Sequence, residues 1–375
     1  MIINKKILFL TTTDNMIWQF LLPHIKHLQD AGNTVECACA KTGFWFDEMK
    51  EKYGLVVHET SFSRSPYKVL KNRRAFKKLK GIVKGGGFDL IHCHQPVGGV
   101  MGRKVGAKCK VPVLYTAHGF HFFKGAPFKY NLIYKRVEKR WAKKTDALVT
   151  MNEEDYIAAK AFKAKRVYKI SGIGYDVAKN KDFKFDKLAL QKEIGVSEDD
   201  CVVVSIGECI KRKNLAVLIK AVKKIEDSKV KLLICGKGKL LEKHKKLVAK
   251  LGLGDRVKML GYRKDVRNIL KLADIFIMSS KHEGLPMGMM EAMYEGLPII
   301  ASNVRGCCDL VERGKNGLLV VLNTSEAYAD AIGRIAANKE LRAEMGKHSK
   351  EMVKQFFIGN VLKEMEVIYD ELGLK

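Results

Sequence analysis

Strand-length apolar runs alternate with helical segments along this chain, and few folds accommodate that pattern. In the first half the runs are Ile7–Thr12, Thr34–Ala38, Val56–Glu59, Leu90–Cys93, Val113–Thr116 and Ala147–Met151. In the second half they are Cys201–Ile206, Lys231–Cys235, Val257–Leu260, Ile275–Met278, Pro298–Ser302 and Leu318–Val321. Repeated strand and helix units of this kind give an α/β fold of doubly wound parallel sheets, whose ligands sit beyond the strands' C-terminal ends. Between the two sets the pattern loosens into a Gly-rich turn, Ser171-Gly172-Ile173-Gly174-Tyr175-Asp176, and a polar, Lys-rich stretch. A chain of 375 residues then divides into a first domain over 1–170, a linker over 171–199, a second domain over 200–350 and a C-terminal segment over 351–375.

One unit in the second domain carries the most chemistry. An apolar run, Leu272–Ser279, leads through Lys281-His282-Glu283-Gly284-Leu285-Pro286 into a segment of helical composition, Met287–Glu295, which Gly296-Leu297-Pro298 stops. Such a loop points backbone N–H groups and the positive end of a helix dipole at whatever lies above the strand. Glu283 and Glu291 flank it with seven residues between them. Carboxylates there repel a bare phosphate but accept hydrogen bonds from sugar or ribose hydroxyls, so the expected guest is a nucleotide sugar. A second strand-to-helix loop, Gly207–Asn214, brings Lys211, Arg212 and Lys213, and basic residues in such a loop suit a diphosphate.

In the first domain three polar sites fall at strand ends: Thr11–Asn15, His92–Gln95 and Thr116–His121. No carboxylate or cysteine completes a metal set at ligand spacing around His92, His94, His118 and His121. Nine scattered cysteines, including Cys37-x-Cys39 and the adjacent Cys307 and Cys308, lack zinc spacing and fit a reducing compartment as small core residues. The expectation is no metal and no cofactor.

Charge is the other constraint. The net charge is +28, and residues 1–170 hold 32 Lys plus Arg against 13 acids. Arg64–Lys84 has nine basic residues and no acid, with Val69, Phe76, Leu79 and Val83 at helical spacing; Lys135–Lys144 is a second basic helix that carries Trp141. These two segments predict an anionic partner, the inner-leaflet membrane surface. Nucleic acid is not expected, because no helix-turn-helix, zinc or RNP signature accompanies the charge. No run approaches the roughly 18 to 20 apolar residues that span a bilayer. Met1–Leu10 reads as a buried strand and not a signal peptide, since polar Thr11–Asn15 cuts it short. The expected location is cytoplasmic, peripheral at the inner face of the plasma membrane.

The string Glu283–Ser302, EGLPMGMMEAMYEGLPIIAS, resembles the Glu-x7-Glu donor motif of glycosyltransferase family 4, retaining enzymes of the GT-B fold. The resemblance implies two Rossmann-like domains with a cleft between them and a C-terminal helix crossing back to the first domain. It implies that Glu291 meets ribose hydroxyls, Lys213 the diphosphate and Glu283 a donor sugar hydroxyl, with Gly207, Gly284, Leu285, Pro286, Met287, Gly288 and Met289 lining the donor. Thr-x-His-Gly matches the family's N-domain histidine, His118, which together with Glu283 and Lys213 makes the expected catalytic set. The string His118–Pro127 resembles the subset that builds bacterial capsule and exopolysaccharide on a lipid carrier. Thr12, Asn15, His94 and His121 are then expected on the acceptor side.

Two departures stand out. Thr11-Thr12-Thr13-Asp14-Asn15 replaces the glycine pair that many members carry after the first strand, and Glu208 stands where an arginine is common, leaving Lys211 or Arg212 to supply its charge. The expected function is transfer of a hexosyl or N-acetylhexosaminyl unit, with retention, from a UDP-sugar to a polyprenyl diphosphate saccharide. A nucleotide-sugar 2-epimerase, a transferase with a soluble acceptor, and a catalytically silent membrane-associated scaffold are the alternatives.

Overall fold

The computed structural model describes residues 2–374, except Phe44, Arg64, Pro66, Tyr67 and 181–183, and gives only the backbone of Lys179 and Asn180. Arg64, the expected start of the first basic stretch, lies outside the described residues. The chain forms two compact units, Met1–Gly174 with Ile358–Lys375, and Tyr175–Phe357. Of the expected linker, 171–174 end the first unit and 175–199 belong to the second, where Lys187–Ile194 is a helix.

The first unit is a seven-stranded sheet: β1 Lys6–Thr13, β2 Thr34–Ala40, β3 Val56–Glu59, β4 Leu90–His94, β5 Val113–Thr116, β6 Ala147–Thr150 and β7 Arg166–Lys169, in the order β3-β2-β1-β4-β5-β6-β7. Every pairing is parallel. Helices cover both faces, so Ile7 to Leu10, Leu148 and Val149 are wholly buried. The order reverses at β1 and β4, and there the strand ends open a crevice for ligands. β7 has no counterpart in the sequence reading. It is an edge strand, Arg-Val-Tyr-Lys, with exposed charged ends that hide its apolar content and blunt the edge against further pairing.

The last helix, Ile358–Glu371, belongs to this unit. It buries Val361, Met365, Ile368 and Tyr369; Glu364 accepts from the Ser171 N–H and hydroxyl, both at 2.7 Å, and the Tyr369 hydroxyl bonds His92 Nδ1 at 2.8 Å.

The second unit is a six-stranded parallel sheet: β8 Cys201–Ile206, β9 Val230–Cys235, β10 Val257–Gly261, β11 Ile275–Met278, β12 Ile299–Ser302 and β13 Gly317–Val320, in the order β10-β9-β8-β11-β12-β13. Its order reverses at β8 and β11, so the loops after those two strands face each other. The helix Met287–Glu295 drives Met289, Met290 and Met293 into a core with Phe276, Met278 and Ile299. Each such side chain contributes about 1.5 to 3 kcal/mol when buried. Gly296, left-handed at φ +83°, ends the helix where the sequence placed its stop. Among the described residues no helix is long and apolar enough to cross a membrane.

Candidate active site

In the second unit the reversal of strand order brings the loop after β8 against the loop after β11. Glu283 lies at their junction, buried, and its Oε1 accepts from Arg212 Nη1 at 2.6 Å, Lys213 Nζ at 2.7 Å and Ser280 Oγ at 2.6 Å. Burial pushes the Glu283 carboxyl up, but Lys213, Arg212 and the hydrogen bonds outweigh it and hold the pKa below the ordinary value. Backbone bonds lock the same contact: the Lys281 N–H donates to Arg212 O at 2.8 Å, and the Ser279 hydroxyl to Lys213 O at 2.9 Å. Two positions open in the sequence are thereby placed. Arg212 joins Glu283, also donating to His282 O at 3.1 Å, whereas Lys211 and Glu208 are exposed.

Three residues of this network were not expected from the sequence as site groups. Arg305 Nε donates to Glu283 O at 3.0 Å; Ser302 Oγ donates to Ser280 O at 2.5 Å; and Gly306 packs so closely that a Cβ there would lie 2.4 Å from Gly284 O. Arg305 and Gly306 follow β12, the next strand of the sheet. A loop at the C-terminal end of a neighbouring strand is the signal that would have found them.

Glu291 sits in the second turn of its helix, half-buried, with no hydrogen-bond or ion-pair partner among the described residues. Burial alone raises its pKa to about 7. A carboxylate kept out of water without a partner has acceptor capacity to give a ligand. At the head of that helix Pro286 is the N-cap and offers no side-chain cap. Of the expected loop contacts, Gly284, Leu285, Pro286, Met287 and Gly288 lie at this helix start, while the Met289 side chain is fully buried and serves the core. Gly207, beside the basic loop, leaves room for Lys213: a Cβ there would lie 3.0 Å from Lys213 Cε.

In the first unit His92, His94 and His118 gather at the ends of β4 and β5. His94 Nδ1 and His118 Nε2 are 3.1 Å apart, and His92 Nε2 bonds Thr116 Oγ1 at 2.8 Å. Burial lowers His118 to about 3 and holds His92 and His94 well below the ordinary imidazole value, so all three are neutral. His94 Nε2 has no hydrogen-bond partner among the described residues. No group of three or more His, Cys, Asp or Glu is placed to hold a metal ion among the described residues.

The two basic segments form the walls of a groove of about 1160 Å³, between the helices Val69–Gly86, Pro96–Cys109 and Phe128–Ala142. Its lining is apolar at Phe76, Met101, Ile133, Val137 and Trp141 and cationic at Arg73, Lys77, Lys80, Lys104, Lys108 and Lys129. Thr12 and His121 line it too; His94 lies outside the lining, bonded to His118, and Asn15 turns to Gln19 Oε1 at 3.3 Å. Glu138, the one acid among the lining residues, is neutralised by the buried Arg103 at 2.8 Å, which itself stacks on Tyr115. Apolar side chains at the starts of the two basic helices stand in solvent: Leu70 is 73% exposed and Phe128 81%.

Comparison with known proteins gives the family. Residues 6–152 match the family described as glycosyl transferase 4-like, and residues 186–352 the family described as glycosyl transferases group 1. The chain is 33% identical over 373 residues to a Bacillus subtilis (strain 168) protein named glycosyltransferase EpsD, a match spanning 97% of this chain and 96% of that one. It is 30% identical over 320 residues to the UDP-Gal:alpha-D-GlcNAc-diphosphoundecaprenol alpha-1,3-galactosyltransferase of Escherichia coli, spanning 80% and 79%. Among solved structures, Anabaena HepE in complex with UDP superposes with a TM-score of 0.81 at 19% identity, over 98% of this chain and 100% of that one. Sucrose-phosphate synthase of Thermosynechococcus elongatus gives the same TM-score at 21% identity, over 98% and 99%. These last two establish the GT-B fold. On the strength of the sequence relatives the chain belongs to the glycosyltransferases of the group 1, family 4 type, and is a hexosyltransferase.

Proposed function

We propose that this enzyme moves a sugar, with retention of anomeric configuration, from a UDP-sugar to a saccharide carried on a polyprenyl diphosphate, at an anionic membrane surface. The groove of the first unit carries this reading, because its apolar floor and cationic rim match an acceptor that is greasy at one end and a diphosphate in the middle. The Escherichia coli relative, whose name specifies a diphosphoundecaprenol acceptor, UDP-Gal and an alpha linkage, supports the same class of substrates. The HepE complexes with UDP and UDP-glucose support the nucleotide.

On the donor side Glu291 accepts from ribose hydroxyls, Lys213 and Arg212 face the diphosphate, and Glu283 holds both cations while offering its free lone pairs to a sugar hydroxyl. As the bond from the anomeric carbon to the diphosphate oxygen breaks, negative charge grows on the leaving group, and cations already fixed in place stabilise it more in the transition state than in the ground state. The acceptor oxygen bonds to the anomeric carbon on the same face, and its proton passes to the departing phosphate. No covalent intermediate is formed in this scheme.

The test is acceptor choice. With UDP-Gal, UDP-Glc, UDP-GlcNAc and UDP-GalNAc offered in turn, UDP release should depend on a polyprenyl diphosphate N-acetylhexosamine and should not be supported by the free sugar. Equal release with the free sugar would point to a soluble acceptor. Consumption of donor with no acceptor would point to epimerase chemistry.

A further inference from the structure

The second unit holds another cavity, of about 550 Å³, between the helices Leu215–Lys224 and Leu241–Lys250; Lys211 and Lys281 of the two donor loops line it, whereas Arg212, Lys213, Glu283 and Glu291 do not. Six lysines surround it: Lys211, Lys220, Lys243, Lys246, Lys250 and Lys281. Lys243, Lys246 and Lys250 recur at three- and four-residue spacing, so they share one face of their helix. None of the six has a carboxylate within salt-bridge distance among the described residues, although neighbours on the same two helices do, Lys224 with Glu326 at 2.9 Å and Lys245 with Glu242 at 3.0 Å. Acids are thus available nearby, and the cavity has none. Like charges gathered without counter-ions repel one another, and an anion among them relieves that repulsion.

A second observation lies beneath them. His244, also in the lining, is 4% exposed, and its Nδ1 has no hydrogen-bond partner among the described residues. A buried polar atom left unpaired destabilises the fold unless something satisfies it. Burial and the adjacent Lys243 lower the His244 pKa, so the ring is neutral and offers one nitrogen as donor or acceptor at the cavity floor. Leu240, Leu247 and Ala216 also line the cavity. The size suits a small ligand and exceeds what a single ion fills.

We propose that this cavity is a second anion site, distinct from the donor seat, which binds the phosphate groups of a phosphorylated ligand between the six lysines and His244. The same phosphate chemistry is presented by a free phosphorylated metabolite and by the headgroup of an anionic lipid. The site does not depend on which sugar or acceptor the enzyme uses.

Calorimetric titration of the full chain with inorganic pyrophosphate, in EDTA, tests it. Wild type should bind at two sites. The variant Lys220→Gln/Lys243→Gln/Lys246→Gln/Lys250→Gln, all at exposed positions, should lose one of them, with at least about tenfold weaker binding, while UDP affinity is unchanged. Lys213→Ala should lose the other. His244→Leu keeps every lysine and removes the unpaired nitrogen; it should weaken the second site severalfold without lowering Tm. Flotation with phosphatidylglycerol against phosphatidylcholine vesicles then separates the two sources: a loss of flotation in the quadruple Gln variant assigns the site to a lipid headgroup, and unchanged flotation assigns it to a free phosphorylated ligand. A single pyrophosphate site in wild type, or a His244→Leu variant indistinguishable from wild type, would overturn the proposal and leave a merely basic surface.

Discussion

Glu283 is a buried and Glu291 a half-buried acid of one loop-and-helix unit, and their environments push them apart. Glu283 has two cations and a hydroxyl; Glu291 has only burial, which lifts it to about 7. With the folded pKa above that of the unfolded chain, the folded state binds more protons between pH 4.5 and 7. Stability from this group therefore falls as pH rises through that window and stays lowered above it. Glu291→Gln should raise stability by on the order of 1 to 3 kcal/mol at pH 8 and by much less at pH 5, read from denaturant melts at the two values. Such a cost to the fold's own stability agrees with the role proposed for Glu291, a seat for ribose hydroxyls.

Glu283 predicts the opposite behaviour. Lys213→Ala leaves its buried carboxylate with Arg212 as its one cation, beside the Ser280 hydroxyl, and should destabilise; adding Glu283→Gln should recover part of the loss, giving a coupling of about 1 to 3 kcal/mol in a double-mutant cycle. Additive effects would mean that the 2.7 Å contact contributes nothing. The sequence singles out both residues as expected donor-site groups, but not their bond to each other, because 70 residues separate them. Choosing Arg212 over Lys211 likewise needed the fold, since adjacent residues of a turn point to different places.

At the scale of elements, the strands were legible because buried parallel strands are written as apolar runs, and the one left unread, β7, lies at an edge where burial does not demand them. Loops were less legible. Gly306 is an ordinary glycine in the sequence, but at φ +79° with Gly284 O against its Cβ position it lets the loop after β12 press on the donor loop. Gly306→Ala should displace Gly284 and Glu283 and weaken nucleotide binding by about tenfold or more, a loss of about 1.4 kcal/mol, with the far-ultraviolet circular dichroism unchanged. Gly333→Ala is the control: in the helix Ser325–Ala336 its Cβ would meet nothing within 4 Å, and binding should hold. Equal effects would remove the steric argument.

For the whole molecule, the excess of +28 was visible at once, but what it surrounds was not. Composition gave a basic, amphipathic face; the fold turned that face into a groove, with Leu70, Phe128 and Ile133 exposed at the helices that form it. Membrane association by this face should combine charge and apolar contact. Binding to phosphatidylglycerol vesicles should fall steeply between about 0.1 and 0.5 M salt, and Phe128→Ser/Ile133→Ser should weaken it at every salt concentration without changing Tm, since both side chains are already exposed. Retention of binding at high salt by that double variant would contradict the assignment.

The claim on which everything else rests is that a nucleotide sugar sits on the loops after β8 and β11, with Glu291 as an ionised acceptor. Its most direct measurement is UDP affinity by calorimetry in EDTA, for wild type and Glu291→Gln, at pH 8 and pH 6. The account predicts binding by wild type without added metal at pH 8, at least about threefold weaker binding at pH 6 as Glu291 gains its proton, and in Glu291→Gln a weak affinity that is the same at both values. UDP binding that is untouched by the substitution, or that strengthens on acidification, would contradict it.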